Sequence, residues 1–221
     1  MATRFYLPSS GTAPATPAMD SNWERQYTSW TRRPMPTTKS NTALATLSEA
    51  YGATATNQKI YAQFVSDTLA SNQTISGTVS MVVGKCAETS TGGDAHLAFS
   101  LRVLDRWGVF RGTLLLRHAT ATEFPLIASA ATRIHSALAI TSLACLAGDR
   151  LVLEIGLHCV TPVNEVMQMR FGDPTATSDF ALTSALTTDL CPWMELSATL
   201  SLGAFTEYPI PDVAFPFRRL R

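Results

Sequence analysis

The feature that most constrains the fold is a regular alternation of apolar and polar residues in the middle of the chain. From 151 to 157, leucine or isoleucine fills every odd position, while Arg150, Glu154 and His158 fall on even positions. Similar period-two runs cover 74–84, 97–105, 111–118, 132–146, 163–171 and 193–202. Successive side chains of a β-strand point to opposite faces of the sheet. The pattern is therefore typical of strands with one face on a core.

Turn-forming residues separate these runs, for example at 91–94, 105–108 and 172–174. Helical periodicity is weak and limited to 42–51 and 176–186, so we expect at most one or two short helices. Short strands joined by such turns predict an all-β fold, specifically an antiparallel β-sandwich of the jelly-roll type.

The alternation also predicts which side chains form the core. The predicted core residues are Phe99, Leu101, Leu114, Leu116, Leu138, Ile140, Leu153, Ile155 and Leu196. Trp107 falls at the tip of a predicted turn, and we interpret it as a cap over the end of this core. The alternative is that Trp107 is exposed as a platform for a sugar ring.

The two ends of the chain differ from the middle in composition. Residues 1–40 contain five prolines and residues 208–221 contain three. Proline interrupts helices and cannot donate a hydrogen bond within a sheet. We therefore predict an extended N-terminal arm over 1–40, a β-sandwich domain over 41–207 and an extended C-terminal tail over 208–221.

Aromatic and basic residues of these two arms are the predicted partner-binding residues. They are Arg4, Phe5, Tyr6, Phe215, Phe217, Arg218, Arg219 and Arg221. Interfaces bury aromatic anchors near their centre and place other contacts at the rim. We expect residues 4–8 and 208–221 to contact other subunits. The alternative is that the tail folds back on its own sandwich.

Charge and hydropathy exclude two classes of partner. The 17 Lys and Arg residues balance the 17 Asp and Glu residues, whereas free-standing nucleic-acid binders carry a basic excess. The apolar runs are much shorter than the roughly 20 residues that a membrane-spanning helix needs. We therefore expect neither nucleic acid nor a membrane as a partner.

No residue pattern indicates a metal, a cofactor or a catalytic site. Cys86, Cys145, Cys159 and Cys191 are far apart, and the N-terminal sequence lacks a secretion signal, so we expect four reduced thiols and no zinc. No nucleophile elbow, phosphate-binding loop or HExxH motif is present in the sequence, and we expect no enzymatic activity.

Two further groups of side chains could bind a metal, but each also has an ordinary structural interpretation. His135 and His158 share the non-core parity of two predicted strands and could lie close together. The aspartates of the segment 172–192, namely Asp173, Asp179 and Asp189, could supply oxygen ligands to calcium. Surface histidines and turn-capping aspartates are the simpler interpretations, and we predict no metal.

Several stretches of the sequence resemble a group of tailed-bacteriophage virion proteins. They are RFYLPSSGTAP followed by Trp23-Glu24, SGTVSMVVGKCAET, RGTLLLRHATATEFPLIASAATRIHSA, GDRLVLEIGLH and GDPTATSDFALTSALTTDLCPWMEL. The resemblance covers most of the chain and transfers no catalytic residue.

The resemblance implies a structural role in the virion. It implies a capsid decoration or cement protein that stabilises the head lattice, made in the host cytoplasm and forming a homo-oligomer, frequently a trimer. Its partners would be the major capsid protein or other virion proteins. The alternative is a glycan-binding head or tail fibre or adaptor module that attaches to a host glycan.

Overall fold

The computed structural model describes residues 1–51, 57–89, 92, 94–161 and 165–203. Thirteen β-strands and one short 3-10 turn, Ile127–Ser129, account for the regular structure of these residues. The strands are β1 (Thr3–Tyr6), β2 (Arg25–Met35), β3 (Ala45–Tyr51), β4 (Asn57–Thr68), β5 (Gln73–Ile75), β6 (Thr78–Glu88), β7 (Ala95–Leu104), β8 (Phe110–Glu123), β9 (Ala131–Ala139), β10 (Leu143–Cys145), β11 (Arg150–Cys159), β12 (Glu165–Phe171) and β13 (Trp193–Leu196).

Two main sheets form the sandwich. One has the strand order β2-β4-β11-β7-β8, and the other has the order β1-β13-β6-β12-β3, with β9 also paired to β6. A small third sheet joins β10 to β5. All of these strand pairs are antiparallel except β2 with β4, which is parallel. The predicted all-β antiparallel sandwich is therefore confirmed, with one parallel pair at an edge.

The core lies between the two main sheets, and most of the predicted core residues are in it. Six are buried: Phe99, Leu101, Leu114, Leu153, Ile155 and Leu196. Leu138 and Ile140 are partly buried against the same core. The prediction for Leu116 is wrong, because this side chain is 67% exposed. Strand β8 is an edge strand that pairs with β7 through several register shifts. Because each shift changes the side of the sheet to which the following residues point, alternate residues of β8 do not all face the core.

The N-terminal region is not the arm that its prolines suggested. Strand β1 pairs with β13, and Phe5 is completely buried in the core of its own chain. Strand β2 also belongs to the sandwich, and its Pro34 is tolerated because an edge strand has one side without ladder hydrogen bonds. The prediction of an extended arm over 1–40 is therefore wrong for residues 3–6 and 25–35, which form strands of the sandwich. The predicted tail, 208–221, lies outside the described residues.

The two weak helical signals are also corrected. Residues 45–51 form strand β3, and residues 176–186 form turns and bends. The described residues contain no helix long and apolar enough to span a membrane. All four cysteines are buried and remain thiols.

Candidate functional site

The turn between β7 and β8 presents three large apolar side chains to solvent. Trp107 is 71% exposed, Val109 is 61% exposed and Phe110 is 57% exposed. The prediction that Trp107 caps the core is therefore wrong, because its side chain faces solvent. We call residues 105–110 the aromatic hairpin.

The backbone of the aromatic hairpin is held by Asp105. The Asp105 carboxylate accepts hydrogen bonds from the backbone N–H groups of Trp107 (2.9 Å) and Val109 (2.8 Å). The Asp105 carbonyl accepts a further bond from Gly108, whose φ of 84° lies in the left-handed region that glycine tolerates. The Arg106 guanidinium carbon lies 4.1 Å from the centroid of the Trp107 ring, a cation–π contact. Trp107 therefore projects from a turn of fixed shape.

A recess of about 310 Å³ lies on one side of the aromatic hairpin, and we call it the Arg111 recess. It is lined by Asn72, Arg106, Trp107, Arg111, Leu146, Ala147 and Asp149. Arg111 Nε forms an ion pair with Asp149, which is itself buried. The side-chain oxygen of Asn72 accepts a hydrogen bond from the Ala147 backbone (2.8 Å), which ties the two loops of the recess together.

A second recess of about 310 Å³ lies beside Phe110, and we call it the Arg102 recess. It is lined by Met19, Asp20, Ser21, Asn22, Arg102, Phe110 and Thr113. The Arg102 side chain is only 8% exposed. Its Nε has no hydrogen-bond partner within the described part of the chain. The Nε atom is itself buried, so its unpaired N–H group costs free energy within the fold.

Glu154 anchors the protein side of the Arg102 recess. Its buried carboxylate forms an ion pair with Arg102 Nη2 (2.6 Å) and accepts hydrogen bonds from Gln63 Nε2 (2.7 Å) and Trp23 Nε1 (3.0 Å). The backbone N–H of Asp20 contacts both of its oxygens. These contacts hold the segment around Asp20 and Trp23 against the outer face of the sheet. Because its acceptor positions are occupied, Glu154 is poorly placed to act as a general base.

Arg4 and Tyr6, two of the predicted partner-binding residues, lie in an ion-pair cluster within the chain. Arg4 pairs with Asp179 (2.9 Å) and Glu195 (3.0 Å) and lies 4.0 Å over the Trp193 ring. The Tyr6 hydroxyl donates a hydrogen bond to Asp179 (3.1 Å). Phe5, the third predicted contact, lies in the core and is not accessible to a partner.

The pKa of Asp179 reflects this cluster. Burial alone would raise the pKa of its carboxyl, but hydrogen bonds from Lys39, Arg4 and Tyr6 outweigh burial and hold the pKa below its ordinary value. Asp179 is therefore an anionic anchor for the N-terminal strand. The remaining predicted partner contacts lie outside the described residues: Phe215, Phe217, Arg218, Arg219 and Arg221.

The structure places the two histidines of the first candidate metal site in different sheets. His135 lies in β9 and His158 in β11, strands of different sheets, and His135 instead packs beside His118 with ring centroids 5.1 Å apart. In the described ranges, no three His, Cys, Asp or Glu side chains are grouped to hold a metal ion.

The three loop aspartates each serve a structural contact. Asp173 accepts hydrogen bonds from Ser40 and Thr42, and Asp189 pairs with Lys85 and Arg170. Asp179 is the anchor of the N-terminal cluster. These contacts favour a structural role for the three aspartates over a role as calcium ligands.

No protein-family model and no curated protein matches the sequence. Among solved structures, the chain is similar to a CocE/NonD family hydrolase from Staphylococcus aureus, with TM-score 0.46 and 10% identity, over 89% of this chain and 36% of that chain. An alpha-amino acid ester hydrolase matches with TM-score 0.44 and 9% identity, over 91% of this chain and 36% of that chain. A chain of infectious bursal disease virus, Gx strain, matches with TM-score 0.19 and 11% identity, over 91% of this chain and 51% of that chain. The chain thus spans little more than a third of either hydrolase, and we assign it no activity or partner of these proteins.

Proposed function

We propose that the protein is a structural component of a tailed-phage virion, a capsid decoration or cement protein that stabilises the head lattice. In this role it is made in the host cytoplasm and assembles as a homo-oligomer onto the major capsid protein or other virion proteins. The sequence resemblance to tailed-phage virion proteins motivates the proposal, and the all-β sandwich is compatible with it.

One structural observation carries the proposal: the buried acidic groups are used to hold the fold together. Glu154 is surrounded by donors, Asp173 binds Ser40 and Thr42, and Asp149 pairs with Arg111. A catalytic acid or base needs an acceptor or donor position that faces a substrate. Because these acidic groups are already engaged in contacts within the chain, they favour a structural role for the protein. We therefore propose no enzymatic activity.

The C-terminal tail is the proposed attachment segment. Its aromatic residues Phe215 and Phe217 would insert into a neighbouring subunit, and its three arginines would pair with carboxylates at the rim.

Deletion of residues 208–221 tests this attachment. The truncated chain should keep the thermal unfolding midpoint of the full chain, yet fail to bind purified heads that lack the protein. A double variant, Phe215→Ser with Phe217→Ser, should reproduce the binding loss, and Val213→Ser should serve as a control that retains binding. Unimpaired binding by the truncated chain, or loss of folding without residues 208–221, would contradict this role of the tail.

A second candidate function, glycan binding on a head or tail fibre, is favoured by one observation. Trp107 is exposed on the aromatic hairpin, whose residues line two recesses that also contain polar side chains. Exposed aromatic rings of this kind suit the apolar face of a sugar, and convergent polar groups suit its hydroxyls. The first test is whether the full chain binds any immobilised bacterial oligosaccharide.

A further inference from the structure

We propose that a proline-containing segment of the chain's own C-terminal tail, 208–211, docks against Trp107 and Leu146 in the Arg111 recess. The rest of the tail, 212–221, then starts from a defined place on the surface, from which it reaches a neighbouring subunit. The role of 212–221 rests on the proposed attachment to virion proteins, whereas the docking of 208–211 does not.

The described part of the chain ends beside the Arg111 recess. The Gly203 N–H donates a hydrogen bond to the Thr68 carbonyl (3.0 Å), and the N–H of the next residue, Leu69, donates to the Asp149 carbonyl (2.8 Å). Asp149 lines the recess. Two hydrogen bonds and one peptide unit therefore connect Gly203 to a wall of the recess.

A second set of contacts leads to the same place. The Ser201 carbonyl accepts hydrogen bonds from the Ala70 backbone (2.9 Å) and from Gln73 Nε2 (3.0 Å). Between these two residues lies Asn72, which lines the recess and accepts a hydrogen bond from Ala147 (2.8 Å). The loop that holds the end of the described chain is thus also a wall of the recess.

The chain beyond Gly203 is long enough to bring the segment 208–211 into the recess. Four residues, 204–207, separate Gly203 from Tyr208. An extended chain of this length spans roughly 17 Å, which exceeds the short path of bonds from Gly203 to Asp149. A short tether also gives the segment an effective concentration in the roughly millimolar range. The tether therefore favours the chain's own tail over the tail of a second copy.

Trp107 and Leu146 give the recess an exposed apolar surface. Trp107 is 71% exposed, although the Arg106 guanidinium carbon lies 4.1 Å from its ring centroid, and Leu146 is 47% exposed. Both side chains line the recess. Because Asp105 accepts hydrogen bonds from the backbone of Trp107 and Val109, the ring stands on a turn of fixed shape. A surface that is already held in place loses little conformational entropy when a partner docks on it.

The segment 208–211 has the composition that suits this surface. Pro209 and Pro211 fix their own φ at about −65° and restrict the preceding residues, Tyr208 and Ile210, to extended backbone. Extended segments of this kind dock in grooves lined by aromatic side chains, because their stiffness lowers the entropy cost of binding. Tyr208 and Ile210 add apolar surface that can pack against Leu146.

The NMR signal of the Trp107 indole N–H tests the docking directly. The full chain, prepared with isotope-labelled tryptophan, is compared with a chain that lacks residues 208–221, and Trp107→Phe assigns the signal. The deletion should shift the Trp107 signal, and the double variant Pro209→Ser with Pro211→Ser should produce the same shift in a chain of full length. Pro216→Ser, the same change outside the segment, should leave the signal in place.

The outcomes of this comparison are distinct. A Trp107 signal that the deletion does not move overturns the docking, and a shift that the double variant does not reproduce overturns the assignment to 208–211. The shift should be equal at two protein concentrations about tenfold apart, because the docking is intramolecular. A shift that depends on concentration would mean that a second copy supplies the tail, and it would overturn the intramolecular assignment.

Binding of the same variants to purified heads separates this inference from the proposed attachment. Tail-dependent head binding with an unmoved Trp107 signal overturns the docking and leaves the attachment intact. A shifted Trp107 signal without head binding supports the docking and contradicts the attachment.

Variants of the recess provide an independent measurement. Docking of 208–211 should slow cleavage after Glu207 by a glutamate-specific protease, because the residue that follows is held in the recess. Trp107→Ala and Leu146→Ser should each speed this cleavage about threefold or more, whereas Leu116→Ala, an exposed apolar residue outside the recess, should not. The thermal unfolding midpoint should not change, because all three side chains are exposed. Equal cleavage rates in all of these chains would overturn the assigned recess.

Discussion

Arg102 Nη2 lies 2.6 Å from Glu154 Oε1, and this buried ion pair joins β7 to β11 on the outer face of their sheet. The same carboxylate binds Trp23 and the backbone of Asp20. One acidic residue thus connects two central strands to the segment that covers them. Arg102 and Asp20, the two residues that Glu154 holds together, also line the Arg102 recess.

Replacement of Glu154 by Gln should destabilise the protein strongly. The change keeps the size of the side chain but leaves the buried Arg102 charge without its partner, a loss that typically costs about 3–5 kcal/mol. Urea unfolding of the full chain measures the difference. Glu195→Gln is the control, because Glu195 pairs with Arg4 in a partly exposed position and should cost about 1 kcal/mol or less. Similar losses for the two variants would show that the Glu154 contacts are not a buried network.

The structural role of Glu154 could not be predicted from its sequence position. It alternates with Leu153 and Ile155, so the pattern assigns it to the face opposite the core, and an acidic residue there is ordinarily solvated. What buries it is the segment around Trp23, which is distant in sequence. Periodicity reports which face a residue takes, but not what covers that face.

Leu114 and Leu116 offer a direct test of the strand faces. They lie two positions apart in β8, yet Leu114 is buried and Leu116 is 67% exposed. Leu114→Ala should therefore cost about 2–5 kcal/mol, whereas Leu116→Ala should stay within about 0.5 kcal/mol of the parent protein. Both values come from chemical denaturation at one pH. If Leu116→Ala proved the costlier change, the assigned faces of β8 would be wrong.

His135 should make stability dependent on pH. Burial, together with the nearby His118, lowers the pKa of His135 to about 3, from 6.5 for the unfolded chain. Between these values the unfolded chain binds the proton more readily, so stability is complete above about pH 6.5 and falls as the pH drops toward 3. From pH 7 to pH 4.5 this single group should remove about 2–3 kcal/mol.

The contribution of His135 can be isolated with His135→Gln, a side chain that does not titrate. The free energy of unfolding of the parent chain and of the variant is measured at pH 7 and at pH 4.5. The parent should lose about 2–3 kcal/mol more than the variant over this interval. An equal loss in both chains would show that His135 is not kept neutral by the fold.

The sequence predicted the strands better than it predicted the surface. Alternation identified β7 and β11 correctly because both are central strands with one face on the core. The residues 105–108 predict a turn, but whether Trp107 covers the core or faces solvent depends on neighbours that periodicity does not specify. Prolines near the N-terminus concealed the four-residue strand β1, because such a short strand shows little alternation.

The most direct test of the proposed virion role is the number of copies of this protein in purified phage particles, measured by quantitative mass spectrometry against the major capsid protein. A decoration or cement protein should be present in many copies, in fixed proportion to the capsid protein, and should leave with the head when heads and tails are separated. Absence from the particles, or a few copies confined to the tail fraction, would contradict the account.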